Sequence, residues 1–107
     1  MSTLELDLQN RRRTRRINRA VSVTAVDPFQ HRRLGVALNV SPSGARLVLT
    51  QPCPEVFMME LDAHTKVMAR PVWKRPLDRS MVVGVRFEFR CDSEREKVIR
   101  FLQRLAA

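Results

Sequence analysis

Residues 81–90, MVVGVRFEFR, decide the fold class of this chain. Apolar side chains occupy every second position, and Gly84, Arg86 and Glu88 stand at alternate positions between them. A period of two is that of a half-buried β-strand, whose side chains point in turn to the two faces of a sheet. The stretch therefore predicts a strand with one face in a core, formed by Met81, Val83, Val85, Phe87 and Phe89.

The same period recurs upstream in five further segments, most of them bounded by proline, glycine or polar residues. They are predicted as strands at 17–25, 34–40, 45–50, 56–61 and 66–74. Within the last of these, Val67, Ala69 and Trp73 share one face, and Pro71 lies in the same register. Because proline cannot donate to a sheet ladder, Pro71 predicts an edge position or a bulge.

After Asp92 the period changes to that of a helix. Ser93 and Glu96 have the spacing of a capping box, in which each side chain bonds the backbone N–H of the other. The apolar residues that follow fall within about 160° of one another on a helical wheel, which predicts a helix docked on a core: Val98, Ile99, Phe101, Leu102 and Leu105.

These elements predict a mainly all-β fold, a six-stranded antiparallel β-barrel or strongly curved sheet closed by a C-terminal α-helix. The expected organisation is a flexible N-terminal tail followed by a single domain, which holds an arginine-rich arm, a barrel and a helix. The boundaries are 1–9 for the tail, 10–107 for the domain, 10–19 for the arm, 20–91 for the barrel and 93–106 for the helix.

Composition limits the class of protein. The chain has 107 residues, with 20 Lys plus Arg against 11 Asp plus Glu, a net charge of +9, and 44% hydrophobic residues. That length suits one domain with one modest core. No apolar run approaches the roughly 20 residues that span a bilayer, and the acidic N-terminus does not resemble a secretory signal. We expect a folded cytoplasmic protein without membrane insertion and without a disulfide framework.

The positive charge is concentrated in residues 10–19, which hold six arginines and no acid. Guanidinium groups form planar two-point hydrogen bonds, so such a cluster indicates a polyanion or a phosphorylated ligand. A solvated basic arm that only raises solubility would have the same composition.

Catalytic and metal sites find little support in the sequence. His31 and His64 are isolated, and Cys53 and Cys91 lie 38 positions apart without a second ligand at metal-binding spacing. The aspartates Asp7, Asp27, Asp62 and Asp78 are scattered through predicted loops, where carboxylates are usually solvated. We therefore expect no enzyme activity, no metal and no cofactor.

Two motifs become specific when they are taken together. Arg12 and Arg16 form Arg-x-x-x-Arg, Arg11 and Arg15 match the same spacing, and Asn39-x-Ser41-x-x-Gly44 begins 23 residues after Arg16. This pairing resembles the PilZ domain family, whose members carry these elements just before the first strand and some twenty residues later. In that family an apolar residue follows the second arginine, which selects Arg12 and Arg16, followed by Ile17. The segments 44–47, 72–75 and 83–87 and the terminal helix also resemble their counterparts in the family. The resemblance therefore covers about residues 10–105.

The resemblance implies a receptor for the bacterial second messenger cyclic di-GMP. The implied ligand-binding residues are Arg11, Arg12, Arg13, Arg16, Asn39, Ser41, Gly44 and Trp73. Ligands of this family often bind as a stacked pair, whose charge Arg11 and Arg13 would help to neutralise. The implied role is that of a small adaptor, a monomer or weak dimer, which changes its surface on binding and regulates an effector protein in motility, exopolysaccharide synthesis or virulence.

The alternative is a basic barrel that binds nucleic acid through the arginine arm. It requires exposed aromatic side chains for base stacking, and the chain has no Tyr, one Trp and five Phe, most of them at positions predicted to be buried. Nucleic acid is therefore the less favoured ligand. A third class, a PilZ-like scaffold that binds no ligand, is disfavoured because its members usually lack the arginine motif.

Overall fold

The computed structural model describes residues 19–106, which form six strands and one helix. The arginines of the predicted arm up to Arg16, together with Ile17 at the start of the predicted first strand, lie outside the described residues. The elements are β1 (Val21–Val26), β2 (Arg32–Ser41), β3 (Gly44–Leu49), β4 (Phe57–Asp62), β5 (Thr65–Leu77), β6 (Ser80–Glu88) and α1 (Asp92–Ala106).

The strands form a closed antiparallel barrel in the order β1-β2-β3-β6-β5-β4, in which β4 pairs back onto β1. Four hairpins join β1 to β2, β2 to β3, β4 to β5, and β5 to β6, while 50–56 carries the chain from β3 to β4 on another side of the barrel. The prediction of a six-stranded antiparallel barrel with a C-terminal helix is confirmed.

The core lies inside the barrel and is built from the period-two faces of the strands. In β6 the predicted face is inward, since Val83, Val85 and Phe87 are buried while Arg86 between them is exposed. The helix closes the barrel because its buried stripe joins the same cluster. That stripe consists of Val98, Phe101 and Leu102.

Two irregularities in pairing bear on function. Between Ala37 and Asn39 the register of β2 against β3 shifts, so that Leu38 is an extra residue and Asn39 pairs with Arg46. Between Pro71 and Trp73 the register of β5 against β6 shifts in the same way, with Val72 as the extra residue. A bulge of this kind turns the following side chain to the other face of the sheet.

The bulge at Val72 confirms what Pro71 predicts and corrects the place of Trp73. The alternation puts Trp73 on the same face as Val67 and Ala69, whereas the family resemblance implies that it binds ligand. Its relative exposure is 38% and theirs is 0%. Trp73 pairs with Gly84 and thus lies on the outer face of the barrel. The reason is the extra residue, which reverses the alternation after Pro71.

The start of α1 also differs from the prediction. Glu94, not Glu96, reaches back, and its carboxylate accepts the backbone N–H of Arg90 at 2.8 Å and the Arg90 Nε–H at 2.7 Å. Ser93 is exposed, and the helix begins at Asp92. The capping box predicted from Ser93 and Glu96 is therefore wrong, because the turn that precedes the helix brings Arg90 to Glu94.

Asp27 is a second correction, since it is buried rather than solvated. One carboxylate oxygen accepts the backbone N–H groups of Phe29 and His31, at 2.8 and 2.9 Å, and the other accepts Arg33 Nη1 at 2.9 Å. These bonds hold the β1–β2 turn in place, and the Arg33 bond is the main cause that lowers the pKa of Asp27 to about 2.

Within residues 19–106, no helix has both the length and the apolar character that crossing a membrane demands.

Candidate functional site

A surface cavity of about 340 Å³ lies on the outer face of β2, β3, β5 and β6. Of the eight residues predicted as ligand-binding, the structure brings four together here: Asn39, Ser41, Gly44 and Trp73. The other four, Arg11, Arg12, Arg13 and Arg16, lie outside the described residues. The cavity thus unites the second motif with an aromatic residue that lies 29 positions beyond its glycine.

The β2–β3 hairpin positions the polar end of the cavity. The Ser41 hydroxyl accepts the Ser43 backbone N–H at 3.3 Å and lies 3.3 Å from the Gly44 carbonyl oxygen, which it can donate to. It also lies 3.2 Å from the Ser43 hydroxyl. Ser41 and Gly44 pair directly across the turn. These contacts fix the loop, so Ser41 shapes the cavity as well as lining it.

Gly44 is required by a close approach of two strands. Its φ is negative, but a Cβ there would overlap the carbonyl oxygen of Val85 on β6. The same approach lets the Phe87 backbone N–H donate to the Ser43 carbonyl at 2.8 Å. The glycine is therefore explained by close approach of the two strands and not by a special backbone conformation.

Asn39 is the buried polar group of the cavity, with a relative exposure of 3%. It shares a cross-strand position with the exposed Arg46, so the bulge at Leu38 puts it on the outer face while Val40 remains in the core. Among residues 19–106, no hydrogen bond satisfies its side-chain amide. A buried amide that has no protein partner is costly unless something else bonds to it.

Trp73 lies against Gly84, its neighbour across the β5–β6 ladder. A Cβ on Gly84 would overlap the indole, so only glycine lets the ring rest on the sheet. The guanidinium of Arg75 stands 5.1 Å from the centre of the ring, a cation–π contact. The result is a flat aromatic surface beside a cation, which suits stacking with a base.

Arg46 and Arg86 also line the cavity, although they are not among the eight residues predicted as ligand-binding. Neither forms an ion pair within the part of the chain that the structure describes. On the neighbouring strand Arg70 lies opposite Arg86, and Arg70 already binds Glu88 through its Nε at 2.8 Å. The sequence places Arg46 and Arg86 on outward faces, but only the strand pairing shows that they flank the same cavity.

Arg19, the last residue of the predicted arm, has a structural contact. Its Nη1 donates to the backbone carbonyl of Leu105 at 2.7 Å. This carbonyl is in the last turn of α1, where cations are favoured by the helix dipole. The contact ties the point where the arm joins the barrel to the end of the helix.

The described residues hold no group of three His, Cys, Asp or Glu side chains that could bind a metal ion. A larger cavity of about 450 Å³ lies elsewhere, on the β1, β4 and β5 side of the barrel. It contains none of the residues that the sequence singles out as ligand-binding.

Comparison with known proteins places the chain in a family. The family model of the PilZ domain matches residues 10–104. No curated protein sequence matches the chain significantly.

Three solved structures share the fold. The PilZ domain of CeSA from a cellulose-synthesising bacterium is 16% identical with a TM-score of 0.63, and the match covers 87% of this chain and 99% of that one. The PilZ domain of YcgR from Escherichia coli, solved with c-di-GMP, is 15% identical with a TM-score of 0.58, over 91% and 95% of the two chains.

The third is MrkH, described as a c-di-GMP-dependent transcription regulatory factor. It is 13% identical with a TM-score of 0.60, over 89% of this chain and 51% of MrkH. The chain therefore spans about half the length of MrkH. At these identities the three likenesses establish the fold.

Proposed function

Because this chain belongs to the PilZ domain family, we propose that it is a receptor for cyclic di-GMP and that the cavity beside Asn39 is the binding site. The observation that carries the proposal is the convergence of Asn39, Ser41, Gly44 and Trp73 on one cavity from separate strands. The structure of the YcgR PilZ domain with c-di-GMP, which has the same fold, supports it.

Each part of the site suits one part of the ligand. The Asn39 amide can donate to and accept from a guanine edge, which would satisfy a buried side chain that has no hydrogen-bond partner among residues 19–106. The indole of Trp73 offers a face for stacking. Arg46 and Arg86 supply positive charge for phosphate from the barrel itself, and the proposed clamp of Arg12 and Arg16 supplies it from the arm.

The arm closes the site in this proposal. Arg12 and Arg16 bind guanine and phosphate together, while Arg11 and Arg13 neutralise a second ligand of a stacked pair. The arm joins the barrel at Arg19, which is held at the end of α1. Ordering of the arm over the cavity changes the surface that an effector protein meets.

The experiment is calorimetric titration of the whole chain with cyclic di-GMP. We expect binding, with two ligands per chain if the stacked pair forms, and a loss of affinity of at least about tenfold, or 1.4 kcal/mol, in Arg12→Ala and in Arg16→Ala. Arg95→Ala, on the exposed side of α1, is the charge-matched control and should bind like wild type. Far-UV circular dichroism checks that each variant is folded.

Equal affinity of wild type, Arg12→Ala and Arg16→Ala would show that the clamp is assigned to the wrong residues. Absence of cyclic di-GMP binding, together with DNA or RNA binding that weakens steeply with salt, would favour the nucleic-acid alternative. Among the described residues Phe29 and Trp73 are exposed, while Phe57, Phe87 and Phe101 are buried, so the outer surface offers few aromatic faces for base stacking.

A further inference from the structure

The outer face of β2 carries an apolar ridge made of Leu34, Val36 and Leu38. Their relative exposures are 80%, 39% and 38%, while Ala37 between the last two is buried. Three large aliphatic side chains in a row on an exposed face of a small protein mark a surface that something covers.

The ridge is one strand wide. On the β1 side, Val36 and Leu34 pair with the hydroxyl residues Ser22 and Thr24, and on the β3 side only Val48 continues the apolar surface. Such a narrow strip is too small for the roughly 800 Å² that each partner of a stable protein–protein interface buries. It fits a single extended segment.

The N-terminal sequence of the chain contains a segment with the matching pattern. Residues 4–8 read Leu-Glu-Leu-Asp-Leu, with leucines at alternate positions. In extended form, positions four residues apart are separated by about 13 Å, both along residues 4–8 and between Leu34 and Leu38. Three leucines can therefore meet the three ridge residues in register.

The segment can also reach the ridge. Val21 pairs with Ala37, so the described chain joins the barrel beside Leu38. The 12 residues from Gln9 to Ala20 can extend over up to about 40 Å, which is more than the length of the ridge.

Charge also favours residues 4–8 as the segment that covers the ridge. The segment carries two acids, Glu5 and Asp7, whereas residues 19–106 carry 15 basic and 9 acidic side chains, a net +6. Arg46 is exposed on β3, two positions from Val48, and has no ion pair within the described residues. A second copy of the chain would instead bring one strongly basic barrel against another.

We propose that residues 4–8 lie along the apolar ridge of their own chain, with Leu4, Leu6 and Leu8 packed on Leu34, Val36 and Leu38. The ridge is then covered while the segment is in place and exposed when it leaves. This contact does not depend on cyclic di-GMP, so it is tested without ligand.

The test is paramagnetic relaxation enhancement in the whole chain, with a nitroxide on Ser2→Cys in a Cys53→Ser, Cys91→Ser background. We expect the amide signals of Leu34, Val36 and Leu38 to lose at least half their intensity. The signal of Lys66, on β5 opposite β2 in the order of the barrel, serves as the internal control and should lose less intensity than the ridge signals.

Two variants separate apolar packing from charge attraction. Leu4→Ser, Leu6→Ser, Leu8→Ser together should restore the ridge signals, whereas Glu5→Gln, Asp7→Asn together should leave most of the broadening in place. The proposal is overturned if the ridge signals are not broadened in the chain with wild-type leucines. It is also overturned if they remain broadened after the leucine changes. In a mixture of an isotope-labelled copy and a separate spin-labelled copy, broadening of the ridge signals would show that a second chain covers the ridge. This result would also overturn the proposal.

A second measurement needs no cysteine changes. Binding of the dye 1-anilinonaphthalene-8-sulfonate should rise at least twofold in the triple leucine variant and return to the wild-type level when Leu34→Ser, Val36→Thr and Leu38→Ser are added. Equal dye fluorescence in wild type and the triple leucine variant would contradict a covered ridge.

Discussion

Trp73 depends for its position on Gly84, a residue that has no side chain. The indole rests on the backbone of β6 because the space where a Cβ would be is taken by the ring. The Arg75 guanidinium is 5.1 Å from the ring centre. At the scale of single residues, the proposed site is thus held open by a glycine as much as by the residues that would touch the ligand.

Gly84→Ala is expected to push the indole off the sheet. Since Trp73 is the only tryptophan, its fluorescence reports the change directly, and the emission should move to longer wavelength. The affinity for cyclic di-GMP should fall by about tenfold, or 1.4 kcal/mol. Gly35→Ala is the control, because its Cβ would meet Leu49 in the core. It should cost about 1–3 kcal/mol of stability without changing the emission. Unchanged emission in Gly84→Ala would contradict the contact.

Asp27 predicts a pH dependence of stability. Its pKa falls from 3.8 to about 2 on folding, chiefly through the Arg33 hydrogen bond. A lowered carboxyl pKa stabilises the folded state above pH 3.8, and that contribution is lost as the pH falls through about 2. Asp27→Asn should therefore be less stable than wild type at pH 7, and the gap should close as the pH approaches 2.

Urea unfolding at a series of pH values measures that gap, with the exposed Asp78→Asn as control. A gap that stays constant between pH 5 and pH 2 would show that the ionised carboxylate of Asp27 has no part in stability.

At the scale of elements, strand faces follow from the sequence except where a bulge intervenes. Leu38 and Val72 are each an extra residue opposite a regular partner strand. After Leu38, Asn39 shares the outer face with Arg46, and after Val72, Trp73 shares it with Gly84. Pro71 indicates the second bulge, because proline has no backbone N–H to donate to a neighbouring strand. The residues around Leu38 give no such indication of the first bulge, which becomes visible only in the pairing with β3.

The helix start gives a prediction at this scale. Glu94 bonds both the backbone N–H and the guanidinium of Arg90, and the Arg90 hydrogen bond lowers the pKa of Glu94. Glu94→Ala should cost about 1 kcal/mol of stability, the usual loss when a helix cap is removed. Ser93→Ala should cost under about 0.5 kcal/mol. Chemical denaturation compares them, and a larger loss in Ser93→Ala would restore the capping box that the sequence predicts.

At the scale of the whole molecule, the barrel and the helix share one core. Val98 is fully buried and Phe101 nearly so, in the same cluster as the inward faces of the strands. Arg104 of α1 binds Asp62 of β4 at 2.9 Å, and Arg19 binds the carbonyl of Leu105. The helix is therefore a part of the core, and its last turn is the point to which the root of the arm is attached.

Phe101→Ala should consequently destabilise the entire domain. Removing a buried phenylalanine typically costs about 3–5 kcal/mol, a large share of the 5–15 kcal/mol that keeps a domain folded. Thermal unfolding is followed by circular dichroism at one wavelength sensitive to strands and one sensitive to the helix. Both should show the same single transition, at a lower temperature than in wild type. Gln103→Ala, exposed on the same helix, should change stability by less than about 0.5 kcal/mol. Loss of the helix signal alone, with the barrel transition unchanged, would contradict a shared core.

The sequence by itself determined the class of this protein: alternation marks six strands, a change of period marks the helix, and two short motifs identify the family. These signals are local, since they depend on neighbours along the chain. The tertiary structure decided which side chains meet. The residues of the cavity come from four strands that pair across the barrel, and two bulges choose the face on which Asn39 and Trp73 lie. Register is set by pairing between strands distant in sequence, and no periodicity within one strand contains it.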